Sequence, residues 1–254
     1  MELQGKVIVV TGGGRGIGRG IAVRLAKAGA KLALLDLNDE DMAETVAQVE
    51  VAGSEARAYN CNIVDEALVE STFAKIVEDF GALHGLVNNA GVLRDGMLVK
   101  VKDGEVVKKM TGDEFSFVVD VHMKGAFLCA REAAVKMIEQ KVDDGAIVNM
   151  SSGAFRGNFG QTNYSGAKAG MVAMNRVWAK ELGRYNIRSM AIAPGMIKTD
   201  MLMSMPEDAL NKLAKTVPLN RIAEVDNIAQ TVQHIFENDY LSGDVIDVCG
   251  GMFL

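Results

Sequence analysis

Residues 6–18 read KVIVVTGGGRGIG, and the segment that follows, IGRGIAVRLAKAG (17–29), repeats its apolar side chains at helical spacing. An apolar run without polar alternation suits a parallel strand covered on both faces. Glycine tolerates positive φ and lets backbones approach closely. A strand, a glycine turn and a helix N-terminus in succession therefore make a cradle of N–H donors for a pyrophosphate. The next apolar run ends in Leu34-Leu35-Asp36, with Asp36 lying 18 residues beyond Gly18 (36 − 18). A carboxylate at that place accepts hydrogen bonds from an adenosine ribose and repels a 2′-phosphate. The expected cofactor is thus NAD(H) in preference to NADP(H), with Asp36 competing for Arg15.

The same rhythm runs outward along the chain. KLALL (31–35), EARAY (55–59), HGLVN (84–88), AIVNM (146–150), IRSMAI (187–192) and DVIDV (244–248) are short β-prone runs separated by amphipathic stretches. With KVIVV (6–10) they predict about seven strands of a parallel sheet, an α/β fold assembled from βαβ units. One segment departs from this rhythm. In LRDGMLVKVKDGEVVKKM (93–110), two β-prone runs flank Asp103-Gly104, a turn dipeptide of hairpins. It predicts an excursion from the carboxyl edge of the sheet, which either borders the ligand site that open α/β sheets carry there or is a solvated surface hairpin whose lysines keep it soluble. Only three prolines occur and no linker-like tract divides the chain, so residues 1–254 read as a single domain.

Composition bounds the remaining choices. Hydrophobic residues make up 49% and charged residues 24%, which is ample for a core and excludes a disordered chain. A net charge of −6 argues against nucleic acid as a partner. The three cysteines, Cys61, Cys129 and Cys249, cannot all pair and lack metal-ligand spacing, so reduced thiols and no metal site are expected. No apolar stretch approaches the ~20 residues that cross a bilayer. The first residues also lack a secretory pattern, so a soluble cytoplasmic protein with no membrane partner is expected.

Tyr164 and Lys168 lie four apart in NYSGAKAGMVAMNRVWAKEL (163–182), on one face of a predicted helix. Ser151 and Ser152 follow Asn149-Met150 at a predicted strand end, which places hydroxyls at the carboxyl edge. TGGGRGIG (11–18), NNAG (88–91), the serine pair, YSGAK (164–168), PGMIKT (194–199) and VCGG (248–251) run in this order over essentially the whole chain. In these motifs the sequence resembles the short-chain dehydrogenase/reductase family, and within it the 3-oxoacyl-thioester reductase branch. The resemblance implies a Rossmann-type doubly wound domain and an NAD(H)-dependent oxidoreductase that interconverts a secondary alcohol and a ketone. Its first expected substrate is a 3-oxoacyl thioester of an acyl carrier protein or CoA. A sugar or polyol dehydrogenase and a catalytically impaired dinucleotide-binding regulatory protein are the alternatives.

The resemblance also implies residue roles. Tyr164 is the acid/base, and Lys168 holds the nicotinamide ribose and draws the phenol below its reference value near ~10. A serine hydroxyl orients the substrate oxygen. Motif order selects Ser152, whereas the family spacing to the tyrosine, one residue longer than 152 to 164, selects Ser151. Alternation puts the two side chains on opposite faces if the strand continues through them. A one-residue deletion around 154–157 favours Ser152, with Ser151 left open. Gly12, Arg15, Gly16, Ile17, Gly18, Asp36, Asn62, Ile63, Asn89, Gly91, Pro194, Ile197 and Thr199 are expected at the cofactor beside Tyr164 and Lys168. Two positions depart from the family pattern. His122, in VHMKG (121–125), replaces an asparagine of the proton relay, which a backbone carbonyl or the imidazole itself would then sustain. Asn62 stands where an acidic residue meets adenine, and its amide oxygen still accepts a hydrogen bond. Helices around 113–140 and 163–184 are expected to build a homotetramer, and 202–213 to form part of a lid.

Overall fold

In the computed structural model, which describes residues 1–252, each predicted run is a strand. They are β1 (Val7–Thr11), β2 (Lys31–Asp36), β3 (Ala56–Asn60) and β4 (Gly85–Asn88), then a hairpin of β5 (Val99–Lys102) and β6 (Glu105–Lys109), and finally β7 (Gly145–Met150), β8 (Ile187–Pro194) and β9 (Val245–Val248). Seven of them pair in parallel in the order β3-β2-β1-β4-β7-β8-β9. The register sets Val10 beside Leu34 and Val9 beside Leu86. The order reverses between β1 and β4, and in such sheets a crevice opens at the carboxyl ends of the strands where it does.

The helices are α1 (Gly16–Lys27), α2 (Asp39–Val51), α3 (Glu66–Phe80), α4 (Gly112–Val119), α5 (Ala126–Glu139), α6 (Thr162–Leu182), α7 (Asp200–Met203), α8 (Glu207–Thr216) and α9 (Val225–Glu237). Successive strand side chains point to opposite faces, so the continuous apolar strands feed two cores. Ile8, Val10, Leu32 and Leu34 pack with Ile21, Leu25, Val232 and Phe236 of α1 and α9 on one face. Val9, Leu35 and Leu86 pack with Phe73, Ile76, Leu128 and Met137 of α3 and α5 on the other. Burying each such Leu, Ile or Phe side chain contributes about 1.5–3 kcal/mol. The two layers fix the sheet from both sides and leave its carboxyl edge as the place for a site.

Local chemistry sets the helix ends near that edge. The side chains of Asn38 and Asp65 accept from the backbone N–H of Asp41 and Leu68 and so start α2 and α3. Thr111 and Glu114 form a reciprocal capping box at α4. The stretch expected as one helix around 113–140 is interrupted, because a π-helical segment (Asp120–Gly125) joins α4 to α5. Gly125 sits there against Ile63, whose Cδ1 would lie 2.6 Å from a Cβ at that position. Residues 202–213 fall in α7, the connection after it and α8, and no residue of α8 is buried. Among the described residues no helix is long and apolar enough to cross a membrane, and no group of His, Cys, Asp or Glu is placed to hold a metal.

Candidate active site

The glycine turn after β1 needs glycine for two distinct reasons. Gly12 and Gly16 adopt φ of +62° and +55°. A Cβ on Gly18 would come within 2.0 Å of the Gly12 carbonyl oxygen, so α1 starts close behind the turn only without a side chain. Gly14 donates its N–H to Asp36 Oδ2 at 3.0 Å, and Leu37 donates to Oδ1 at 2.7 Å. The carboxylate of β2 is thereby locked against the turn. Arg15 does not contact Asp36 as expected. Its Nε lies 3.9 Å from Asp41 Oδ2 instead, because the first turn of α2 brings Asp41 over the glycines while Asp36 is already held by backbone. The Asn89 amide donates to the carbonyls of Thr11 and Gly12 at 3.0 and 3.1 Å, tying the end of β4 to the turn.

Over these strand ends runs a cavity of about 780 Å³, lined by Gly12, Arg15, Gly16, Asp36, Asn62, Ile63, Asn89, Gly91 and Thr199. That volume falls within the ~300–1,000 Å³ of small-molecule and cofactor sites. Ile17, Gly18, Pro194 and Ile197 do not line it, nor do Tyr164 and Lys168. The first two begin α1, while Ile197 is buried and bridges to Ala223. Sequence reasoning missed Asn38, Asp41, Cys61 and Val92 on the wall. Asn38 and Asp41 carry a helix-start signal that would have placed them there. Glycines no side chain can replace, donors at a helix N-terminus and two carboxylates at the β2 end fit a dinucleotide.

The second half of the site is carried by α6. Its first turn is pinned by Asn163, whose amide donates to the carbonyls of Arg94 and Glu114 at 2.9 and 3.1 Å and whose oxygen accepts the Tyr164 N–H. One turn on, Lys168 is buried, and its ammonium donates to the Met150 carbonyl at 2.5 Å. It lies 5.5 Å from the centroid of the Tyr164 ring. β7 ends at Met150, and the two serines then diverge. Ser151 is buried and donates its hydroxyl to the Lys168 carbonyl at 3.1 Å. Ser152 is extended and accepts the Ala154 N–H at 3.2 Å, and its hydroxyl acts on the Tyr164 phenol, favouring the ionised form. A 3₁₀ turn (Gly153–Arg156) takes up the short connection to α6.

Electrostatics in this cluster depart from expectation. Burial pushes the Tyr164 phenol above its ordinary value; the Ser152 hydroxyl opposes this and Asp95 adds to it. Burial also brings the Lys168 amine down to about 7, and its proton is directed at the Met150 carbonyl. His122 is buried in the π-helical segment with its ring edge-on to Tyr164, centroids 5.2 Å apart. Its Nε2 lies 2.8 Å from the carbonyl oxygen and 3.1 Å from the nitrogen of Val92, whereas Nδ1 is buried without a partner. Burial, reinforced by Lys168, pushes the imidazole down to about 3. The ring fits only beside glycine, since a Cβ on Gly91 would lie 2.4 Å from its Cε1.

With this geometry in view, the relatives are informative. Residues 12–253 match the family model described as enoyl-(acyl carrier protein) reductase. A 3-oxoacyl-[acyl-carrier-protein] reductase FabG of Thermotoga maritima is 35% identical, with 100% of both chains covered. The BbsD subunit of a (2S)-[(R)-hydroxy(phenyl)methyl]succinyl-CoA dehydrogenase of Thauera aromatica is also 35% identical, over 100% of this chain and 99% of its own. Among solved structures, levodione reductase superposes with a TM-score of 0.88 at 35% identity, covering 98% of each chain. NAD⁺-bound xylitol dehydrogenase superposes at 0.87 with 30% identity, covering 99% of this chain and 100% of that one.

Proposed function

The chain belongs to the short-chain dehydrogenase/reductase family, and we propose that within it the protein is a 3-oxoacyl-thioester reductase working with NAD(H). Its family makes it an oxidoreductase of alcohols and ketones that uses a nicotinamide dinucleotide. The observation that carries the catalytic reading is the buried Lys168 ammonium 5.5 Å from the Tyr164 ring centroid, held at the end of β7 where Ser152 follows. The thioester reading is supported by relatives named for acyl-carrier-protein and CoA substrates, each 35% identical over the whole chain. Exposed Leu93, Met97, Leu98 and Phe159 flank the Gly96–Gly160 contact beside Tyr164 and suit an acyl group.

A bound dinucleotide would supply the two-electron exchange with the carbonyl carbon. The protein handles the proton. Ser152 holds the substrate oxygen, and Tyr164 donates its phenolic proton to that oxygen during reduction or accepts it during oxidation. Such acid/base catalysis contributes typically 10²–10⁴-fold. Lys168, titrating near 7, is poised to return a proton to the phenol at neutral pH. Neutral His122 positions Val92 and the segment after β4, and does not itself carry charge. Asp36, with Asp41 nearby, accepts from ribose hydroxyls and repels a 2′-phosphate. We further infer a homotetramer assembled through the exposed apolar residues Phe115 of α4, Phe127, Val135 and Ile138 of α5, and Val177 of α6.

Steady-state kinetics with 3-oxoacyl thioesters and polyols, each with both cofactors, tests the reading. Thioester reduction with NADH should have the highest kcat/KM, and Asp36→Ala should narrow the gap to NADPH. A wild-type preference for NADPH overturns the cofactor assignment, and turnover of polyols alone overturns the substrate class.

A further inference from the structure

β5 and β6 pair antiparallel, Val99 with Lys109, Lys100 with Lys108, Val101 with Val106 and Lys102 with Glu105, with the register shift leaving Val107 bulged. Paired residues share a face and neighbours alternate. Lys100, Lys102 and Lys108 therefore lie on one face with Glu105, and Val99, Val101 and Val106 on the other with Lys109. Every strand residue of the hairpin is exposed. An isolated two-stranded hairpin is marginal in water, and among the described residues the hydrogen bonds and ion pair that tie this one down lie near its root. Gly96 donates to the Gly160 carbonyl at 2.8 Å, and Lys108 pairs with Glu114 at 2.9 Å.

Its charge runs against that of the molecule. Between residues 93 and 110, five cations (Arg94, Lys100, Lys102, Lys108 and Lys109) outnumber three carboxylates (Asp95, Asp103 and Glu105), in a chain whose net charge is −6. Small-molecule sites are concave, whereas every strand residue of this strip stands exposed, with strands about 15 Å long at ~3.3 Å per residue. That shape meets a macromolecular surface, and its charge selects an acidic one. The root is held by Gly160 and Asn163, four and one residues before Tyr164 (164 − 160, 164 − 163). A partner seated on the hairpin is thus placed beside the reacting centre.

On the thioester reading above, we propose that the Lys100–Lys102–Lys108 face of the β5–β6 hairpin docks an acidic carrier protein that presents its acyl thioester to Tyr164. Lys100 and Lys102 pair with carboxylates of the carrier while Lys108 is held by Glu114, and the valine face leaves room for apolar contact at the rim.

The test compares wild type with Lys100→Glu/Lys102→Glu on one 3-oxoacyl group carried three ways: on an acidic acyl carrier protein, on CoA and on N-acetylcysteamine. At low salt the double variant should lose about tenfold in kcat/KM on the carrier protein, through KM. The loss should shrink toward 1 M salt, where the screening length is ~3 Å. Both small thioesters should be unaffected, the sedimentation mass unchanged, and Lys100→Arg/Lys102→Arg should behave as wild type. An equal loss on CoA would mean that the lysines read a small anion. No loss on the carrier, or a change in mass, would likewise overturn the proposal. Carrier binding measured directly by fluorescence anisotropy separates the two readings. A wild type that binds the carrier through these lysines yet reduces no thioester keeps the docking and removes the activity; one that reduces CoA thioesters without binding the carrier does the reverse.

Discussion

Ser151 and Ser152 differ only in what their hydroxyls face. Ser151 spends its proton on the Lys168 carbonyl inside the protein, while the Ser152 hydroxyl acts on the Tyr164 phenol. Ser152→Ala should lower kcat/KM by about 10²-fold, the scale for removing one donor aimed at a reacting oxygen. Ser151→Ala should leave kcat/KM near wild type and cost about 1 kcal/mol of stability for the lost hydrogen bond. Kinetics and denaturation of both variants check this, and a reversed pattern would exchange the roles. The sequence left this choice open because strand alternation holds only while the strand lasts, and β7 stops at Met150. The partner of Arg15 was illegible for a related reason: Asp41 approaches it through the placement of a whole helix, which no local pattern encodes.

At the scale of elements, the π-helical segment decides what His122 can do. It turns the imidazole inward between Val92 and the Tyr164 ring, in space that Gly91 leaves open. A buried neutral imidazole carries a pH signature. Unfolded histidine takes up a proton near ~6.5, but the folded one does so only near 3. The unfolded state therefore binds more protons between these values, and stability falls as pH drops through that window. Lys168, also depressed, acts in a separate window, where stability rises with pH from about 7 toward its ordinary value. Between pH 7.5 and 5, wild type should lose about 1–2 kcal/mol more stability than His122→Asn in urea unfolding. Equal losses would show that the imidazole is protonated alike in both states. The seven strands and the Asp103-Gly104 hairpin were legible because their signals are local: apolar runs and turn chemistry. The π-helical segment was not, since one shifted hydrogen-bond register leaves the apolar spacing around 113–140 almost unchanged.

Across the whole molecule, two apolar layers hold a sheet whose order reverses between β1 and β4, with a crevice at its carboxyl edge. The glycine turn and Asp36 line it, and Val92 on its wall meets His122, whose ring is edge-on to Tyr164 of α6. This convergence was legible in outline, because motifs at strand ends fall on one edge of a parallel sheet. The protonation of the cluster was not, because it depends on burial. Burial raises the Tyr164 phenol, with Asp95 adding to it against the Ser152 hydroxyl, while Lys168 is enclosed and turned toward Met150. The central claim is that Tyr164 is the proton-transferring group of a dinucleotide-dependent carbonyl reduction. Its most direct test is Tyr164→Phe, assayed for single-turnover reduction of a 3-oxoacyl thioester and for NADH binding by fluorescence. We predict a rate lowered by at least about 10²-fold with NADH affinity unchanged; a variant retaining more than about a tenth of the wild-type rate would contradict the account.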